Sequence, residues 1–178
     1  MPFVLEETTI VQIHDAIRTK QLSCAELIAS YLGRVHALDR NGPVFNSIVT
    51  LNENAITEAT EKDTQFRASG ELCGPLHGIP ILVKDQAETA GIMTCFGSVA
   101  CDGYIPHKDA TAIARLRDAG AIILGKTTMP DFATSWFSYS SKSGTTKNPY
   151  NLGCDPGGSS SGTGASIAAN LAAIGLGE

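Results

Sequence analysis

Between Gly78 and Asp85 the residues Ile79, Pro80, Ile81, Leu82 and Val83 are apolar in unbroken succession, and this run constrains the fold more than any other stretch of the chain. A strand with one face in water alternates apolar and polar side chains, whereas a strand that does not alternate has both faces covered. The run therefore predicts a strand central in its sheet. Downstream, Ala112, Ile113, Leu116 and Ala119 recur at helical spacing, with Asp109 placed as the cap and Gly120 as the stop, and Ala121 to Leu124 is a second apolar run. Strand, helix and strand in this order predict an α/β layer with a right-handed crossover.

The N-terminal part reads as helices. Ile10, Ile13 and Ile17 follow Thr9 at helical spacing, and Ser23 to Glu26 has the S-x-x-E form of a capping box. The stripe of Leu27, Ile28, Tyr31, Leu32, Val35 and Leu38 continues the second helix until Asn41, Gly42 and Pro43 stop it. Val44 to Leu51 alternates loosely as a strand, and a charged helical stretch from Asn54 to Ala68 ends at Gly70. Residues 1–70 thus form a mainly helical packing layer, and 71–178 the α/β core of the same single domain, a size that 178 residues supports.

Several function classes recede at this point. With 13 Lys+Arg against 18 Asp+Glu the net charge is −5, and no basic stripe offers a surface that tracks nucleic-acid phosphates. The five cysteines are odd in number and lack C-x-x-C spacing, which predicts reduced thiols in the cytoplasm rather than a disulfide framework or a zinc site. No run approaches the ~18 apolar residues of a membrane span, and the first residues lack a basic leader, so no membrane association is expected. Neither a metal nor a cofactor is implied.

Three motifs carry possible chemistry. Gly120 to Thr127 spells G-x-x-x-x-G-K-T, the text of a phosphate-binding loop, yet its four intervening residues are the apolar strand itself and Pro130 blocks the helix that must follow. Lys126 is better read as ending a strand. Gly158 to Gly162 matches G-x-S-x-G, the nucleophile elbow of α/β-hydrolases, but turn formers precede it, and His14, His36, His77 and His107 all lie upstream, so no Ser, Asp, His order can be completed. The third constellation joins Lys84, at the end of the apolar strand, to the tract from Pro156 to Gly164, which leads into a helix. Between Thr134 and Ser166 there are thirteen Ser or Thr residues, and backbone N–H groups at a helix start can face a developing negative oxygen. Burial disfavours an ammonium, and a neutral amine can take a proton from a serine hydroxyl without histidine. Taken alone, these residues read more plainly as a snorkelling lysine and a helix-capping turn.

Read together, the words change that balance. Leu76 to Pro80 (LHGIP) with Val83-Lys84-Asp85, Asp109 to Thr111, Leu116 to Ala121, Leu124 to Thr127, Asn148 to Tyr150 and Pro156 to Gly162 (PGGSSSG), in this order and spacing, resemble the amidase signature family from about residue 70 onward. The resemblance implies an α/β/α layered fold around a large, mostly parallel mixed sheet, here incomplete. It implies hydrolysis of a carboxylic amide through a Ser, cis-Ser, Lys triad. By position, Lys84 matches the proton-accepting lysine and Ser159 the relay serine, with the Gly158–Ser159 peptide cis. Ser135, Gly157, Gly158 and Ser160 match the substrate and oxyanion region. The attacking serine of the family follows the G-L-G that is here Gly175 to Gly177, so it would fall shortly beyond Glu178, and the chain is expected to be the N-terminal part of such an enzyme, inactive by itself. Gln86 stands where many relatives carry Asn. The expected partner is a small-molecule amide, and a homo-oligomer is compatible with the chain. Two other functions fit the same words: a non-catalytic scaffold, and the amidase subunit of a tRNA-dependent amidotransferase.

Overall fold

The computed structural model describes residues 3–178. Two N-terminal helices, α1 (Ile10–Arg18) and α2 (Cys24–Arg34), start on reciprocal caps: the hydroxyls of Thr9 and Ser23 each accept from the N3 backbone N–H, while Gln12 and Glu26 accept from the cap N–H groups. Beyond Arg34, α2 widens into a π-helical turn over Val35–Arg40, and the helical run stops at Asn41, as expected. The widening turns Asp39 inward to 1% exposure, where its carboxylate accepts from Ser47 N and Ser47 Oγ at 2.6 Å and from Ile48 N at 3.3 Å. These bonds pin the start of β1 (Ile48–Leu51). The strand expected from Val44 begins four residues late because Val44 and Asn46 have φ of 53° and 52°, a left-handed conformation that no strand admits. Next comes α3 (Ala55–Ser69), which ends at Gly70 with φ 73°, the left-handed cap that favours glycine.

The core elements are β2 (Pro80–Lys84), α4 (Thr111–Asp118), β3 (Ile122–Thr127), the hairpin of β4 (Tyr139–Ser140) and β5 (Gly144–Thr145), α5 (Ser161–Ala168) and β6 (Ile174–Leu176). One four-stranded mixed sheet runs in the order β1-β3-β2-β6, with β2 parallel to both β3 and β6 and β1 antiparallel to β3. Every residue of β2 and β3 is buried, as the unbroken apolar runs require. The register of β2 on β3 slips once, from Ile81 opposite Ile123 to Leu82 opposite Gly125. Ile13, Leu27, Ile28, Tyr31, Ile48, Ile81, Leu82 and Ile122 belong to one continuous core that joins the N-terminal helices to the sheet.

One local expectation is corrected. Asp109 does not cap α4, whose N-cap is Ala110 without a side-chain bond. Its carboxylate instead accepts from Ala90 N at 2.7 Å and lies 3.2 Å from Arg117 Nε, so a loop amide and a guanidinium outcompete the helix's own N–H groups. The G-x-x-x-x-G-K-T string is a strand, as read from the sequence: from Ile122 to Thr127 it is fully buried, and Lys126 is its penultimate residue. No helix among the described residues is long and apolar enough to cross a membrane.

Two histidines tie the α1 layer to the segment before β2. His14 Nε2 lies 3.2 Å from the carbonyl of His77, and both side chains are buried. Burial holds both imidazoles below the ordinary value of 6.5, reinforced at His77 by the Lys62 charge. The folded state therefore binds fewer protons than the unfolded state just below that value, so stability falls as pH drops through 6.5. The thermal midpoint should decline between about pH 7.5 and about pH 5.5, and His14→Gln should flatten the decline. An equally steep decline in that variant would remove His14 as a cause.

Candidate active site

Side chains alternate across a strand, so Lys84 and Asp85 at the end of β2 leave on opposite faces. Lys84 faces α5. It is 2% exposed, and its Nζ donates to Ser159 Oγ at 2.6 Å across 75 residues of sequence. On the same face Thr127, opposite Lys84 in register, has its hydroxyl 2.6 Å from that of Thr163 on α5. The sheet and the first turn of α5 therefore meet through polar contacts directly beneath Ser159.

Glycines permit that approach. A Cβ on Gly162 would lie 2.3 Å from both Ser47 O and Thr128 N. The amide of Gly162 donates instead to Thr128 O at 3.0 Å, which clamps the start of α5 to the end of β3. A Cβ on Gly158 would lie 2.8 Å from the carbonyl oxygen of Ser135 and 2.9 Å from the carbonyl carbon of Trp136, so the loop after β3 rests on the backbone that carries Ser159. Gly157 has φ 85°, its N–H donates to Asp155 Oδ1 at 2.7 Å, and the Gly158–Ser159 peptide is cis.

The six residues singled out in the sequence are brought together unequally. Lys84 and Ser159 touch. Ser135 lines the same cavity as Ser159, about 230 Å³ bounded also by Ala133, Thr134 and Trp136, but its hydroxyl accepts from Phe137 N at 3.0 Å and its backbone is what meets Gly158. Gly157 and Gly158 form the turn. Ser160 points away: its hydroxyl bonds the backbone of Glu178, donating to the carbonyl at 3.0 Å and accepting from the amide at 2.9 Å. Larger cavities of about 670 Å³ and 520 Å³ open beside α1 and between α2 and α3, and neither is lined by Lys84 or Ser159.

Other residues at the site went unread in the sequence. The carboxylate of Glu178 lies 3.5 Å from Lys84 Nζ and accepts from the Gln86 amide. Trp136 is 84% exposed at the cavity mouth. On the other face of the sheet Asp85 is fully buried and accepts from Cys95 N at 3.1 Å and Gly97 N at 3.0 Å, with Lys126 Nζ 3.8 Å away. The period-two alternation of Val83, Lys84 and Asp85 was the signal that would have placed Asp85 away from Lys84.

A buried amine against a serine hydroxyl, next to an open cavity, can pass a proton but carries no charge relay through histidine. Comparison with known proteins gives the family. The sequence model of the Amidase family matches residues 26–178. The chain is 40% identical over 173 residues to a glutamyl-tRNA(Gln) amidotransferase subunit of Geobacter metallireducens, covering 97% of this chain and 35% of that protein. It superposes on the native peptide amidase of Stenotrophomonas maltophilia with a TM-score of 0.91 at 41% identity, covering 98% of this chain and 36% of that one. An amidase family protein of Bacillus anthracis matches with a TM-score of 0.90 at 35% identity, covering 97% of this chain and 35% of the other. The chain spans about a third of the length of the curated relatives it matches.

Proposed function

The chain belongs to the amidase signature family, and from that premise we propose that it forms the Lys84 and Ser159 half of an amide-hydrolysing site in a longer cytoplasmic enzyme. The observation that carries the reading is the 2.6 Å contact between Lys84 Nζ and Ser159 Oγ. With the amine neutral, that contact runs in reverse and the hydroxyl donates to nitrogen. An attacking serine, on a segment that follows Gly177, gives its proton to Ser159 Oγ while Ser159 passes its own to Lys84. The serine oxygen bonds the amide carbon, the C–N bond breaks, and the proton returns through Ser159 to the leaving nitrogen. Water then releases the acid from the acyl-serine by the same relay. The cavity along Ala133 to Trp136 receives the acyl group of a small amide.

A second reading, the amidase subunit of a tRNA-dependent amidotransferase, is favoured by the 40% identity to the Geobacter metallireducens protein. Partner subunits that co-purify with the full-length protein support it, and an isolated chain with full activity on free amides removes it. A scaffold without catalysis finds no favouring observation.

The test uses the full-length protein, a panel of primary amides and an acyl-serine-directed probe. Ammonia should be released, whereas the 178-residue chain alone should release none. Mass spectrometry should find the probe on a serine after Gly177, with residual labelling in Ser159→Ala. A probe mass on Ser159 would make it the nucleophile and overturn the relay, and an enzyme inert to every amide would overturn the activity.

A further inference from the structure

A second lysine is wholly enclosed in this fold, and the reaction outlined above leaves it without a task. Lys126, in β3, has 0% exposure, and its Nζ donates to Ala87 O at 2.7 Å, to Thr94 Oγ1 at 2.8 Å and to Asp85 O at 3.4 Å. The Asp85 carboxylate lies 3.8 Å away and is itself held by the amides of Cys95 and Gly97. All these partners belong to the segment that leaves β2 immediately after Lys84, and Ala87 N donates back to Lys84 O at 3.0 Å. We propose that Lys126 is a positioning residue for amide cleavage: from the face of the sheet opposite Lys84 it fixes the turn from Asp85 to Ala87, and through that turn the place of Lys84 Nζ against Ser159 Oγ.

The proposal rests on the reading of Lys84 and Ser159 as the proton-transfer pair. Its physical basis is the contrast between what this ammonium holds and what it does for stability. Burial pushes Lys126 down to about 8, against the opposing pull of Asp85, Cys95 and Glu88. A folded value below the unfolded one means that the unfolded chain binds more protons between those values, so the charged lysine opposes folding at neutral pH and the opposition eases as pH rises past about 8. An apolar side chain of the same length would fill the site at lower cost. What an apolar chain cannot do is bind two carbonyls of the turn and tie them to the Thr94 hydroxyl of the following segment at once. Lysine's ammonium has three donors, matching the three oxygens of Ala87, Thr94 and Asp85.

The experiment measures kcat and KM of the full-length enzyme on a primary amide it turns over, with active sites counted by the acyl-serine-directed probe so that folding losses are divided out. Lys126→Met keeps the stem and removes the ammonium. It should lower kcat per titrated site about 10²-fold, the effect of misplacing a catalytic group by ~1 Å, with KM within about twofold. Thr94→Val, which removes one acceptor at constant shape, should lower kcat about fivefold, and Thr94→Ser should restore it. Unchanged kcat per titrated site in Lys126→Met, with only the count of sites or the thermal midpoint reduced, overturns the proposal. If Lys126→Met yields no folded protein, equal kcat in Thr94→Val and wild type overturns it. Lys84→Ala in the same assay separates the two claims: full turnover in that variant defeats the functional reading itself, whereas loss there with normal kcat in the Lys126 and Thr94 variants defeats the positioning role alone.

Discussion

In the full-length protein, Lys84→Ala should lower kcat by roughly three orders of magnitude while KM moves by less than about threefold. The asymmetry follows from where the amine sits. Lys84 is 2% exposed and contacts Ser159, and it does not line the cavity beside that serine, so its removal withdraws proton transfer and leaves the substrate's binding surface in place. Lys84→Arg should be equally inactive, because guanidinium keeps its proton at any working pH and cannot serve as a base. Steady-state kinetics on one amide checks both variants. An active arginine enzyme would refute the base assignment whatever the alanine result.

The second large effect concerns packing. Gly162→Ala should destabilise the fold by about 3 kcal/mol, the upper end of overpacking costs. A methyl there would land on Ser47 O and Thr128 N, at 2.3 Å from each, and those two atoms are already joined by a 2.8 Å hydrogen bond. The Thr128 hydroxyl, 2.4 Å away, could rotate, but the two backbone atoms cannot yield. The helix start must therefore lift from β3 and carry Ser159 away from Lys84. Gly164→Ala, two residues along the same helix where no atom lies within 4 Å of the new Cβ, is the control and should stabilise by about 0.5 kcal/mol. Urea denaturation of the two variants decides the matter: equal midpoints would show that α5 does not approach β3 as closely as described.

Legibility in the sequence followed the range of the forces involved. Strands β2 and β3 were readable because full burial writes itself into every position. The cap at Ser23 was readable for a similar reason, since its partner is three residues away. Asp109 misled because the same carboxylate that can cap a helix can also take a distant amide and a guanidinium, and composition does not tell which. The late start of β1, at the left-handed Val44 and Asn46, was not announced by any pattern either, nor was the π-helical turn whose Asp39 carboxylate then pins Ser47. At the site, Lys84 and the Pro156 to Gly164 tract were singled out from the residues and Ser159 within it through the resemblance, whereas the backbone of Ser135 and Trp136 resting on Gly158 and the bracing of the β2 end by Lys126 needed coordinates. Strand β6, only three residues long, was too short to carry a period.

The slip in register between β2 and β3 decides which layer each lysine enters. Ile123 stands opposite Ile81, and Gly125 opposite Leu82, so Leu124 is an unmatched residue that changes the parity of everything after it. With that extra residue Lys126 falls beside Val83 and faces away from α5, and Thr127 falls beside Lys84. Without it, Lys126 would stand directly beside Lys84 on one face, two enclosed amines separated by the ~4.8 Å between neighbouring strands and competing for one set of partners. One unmatched leucine thus sends the two lysine side chains into opposite layers of the sheet, so that each is buried at the same level of the fold without meeting the other.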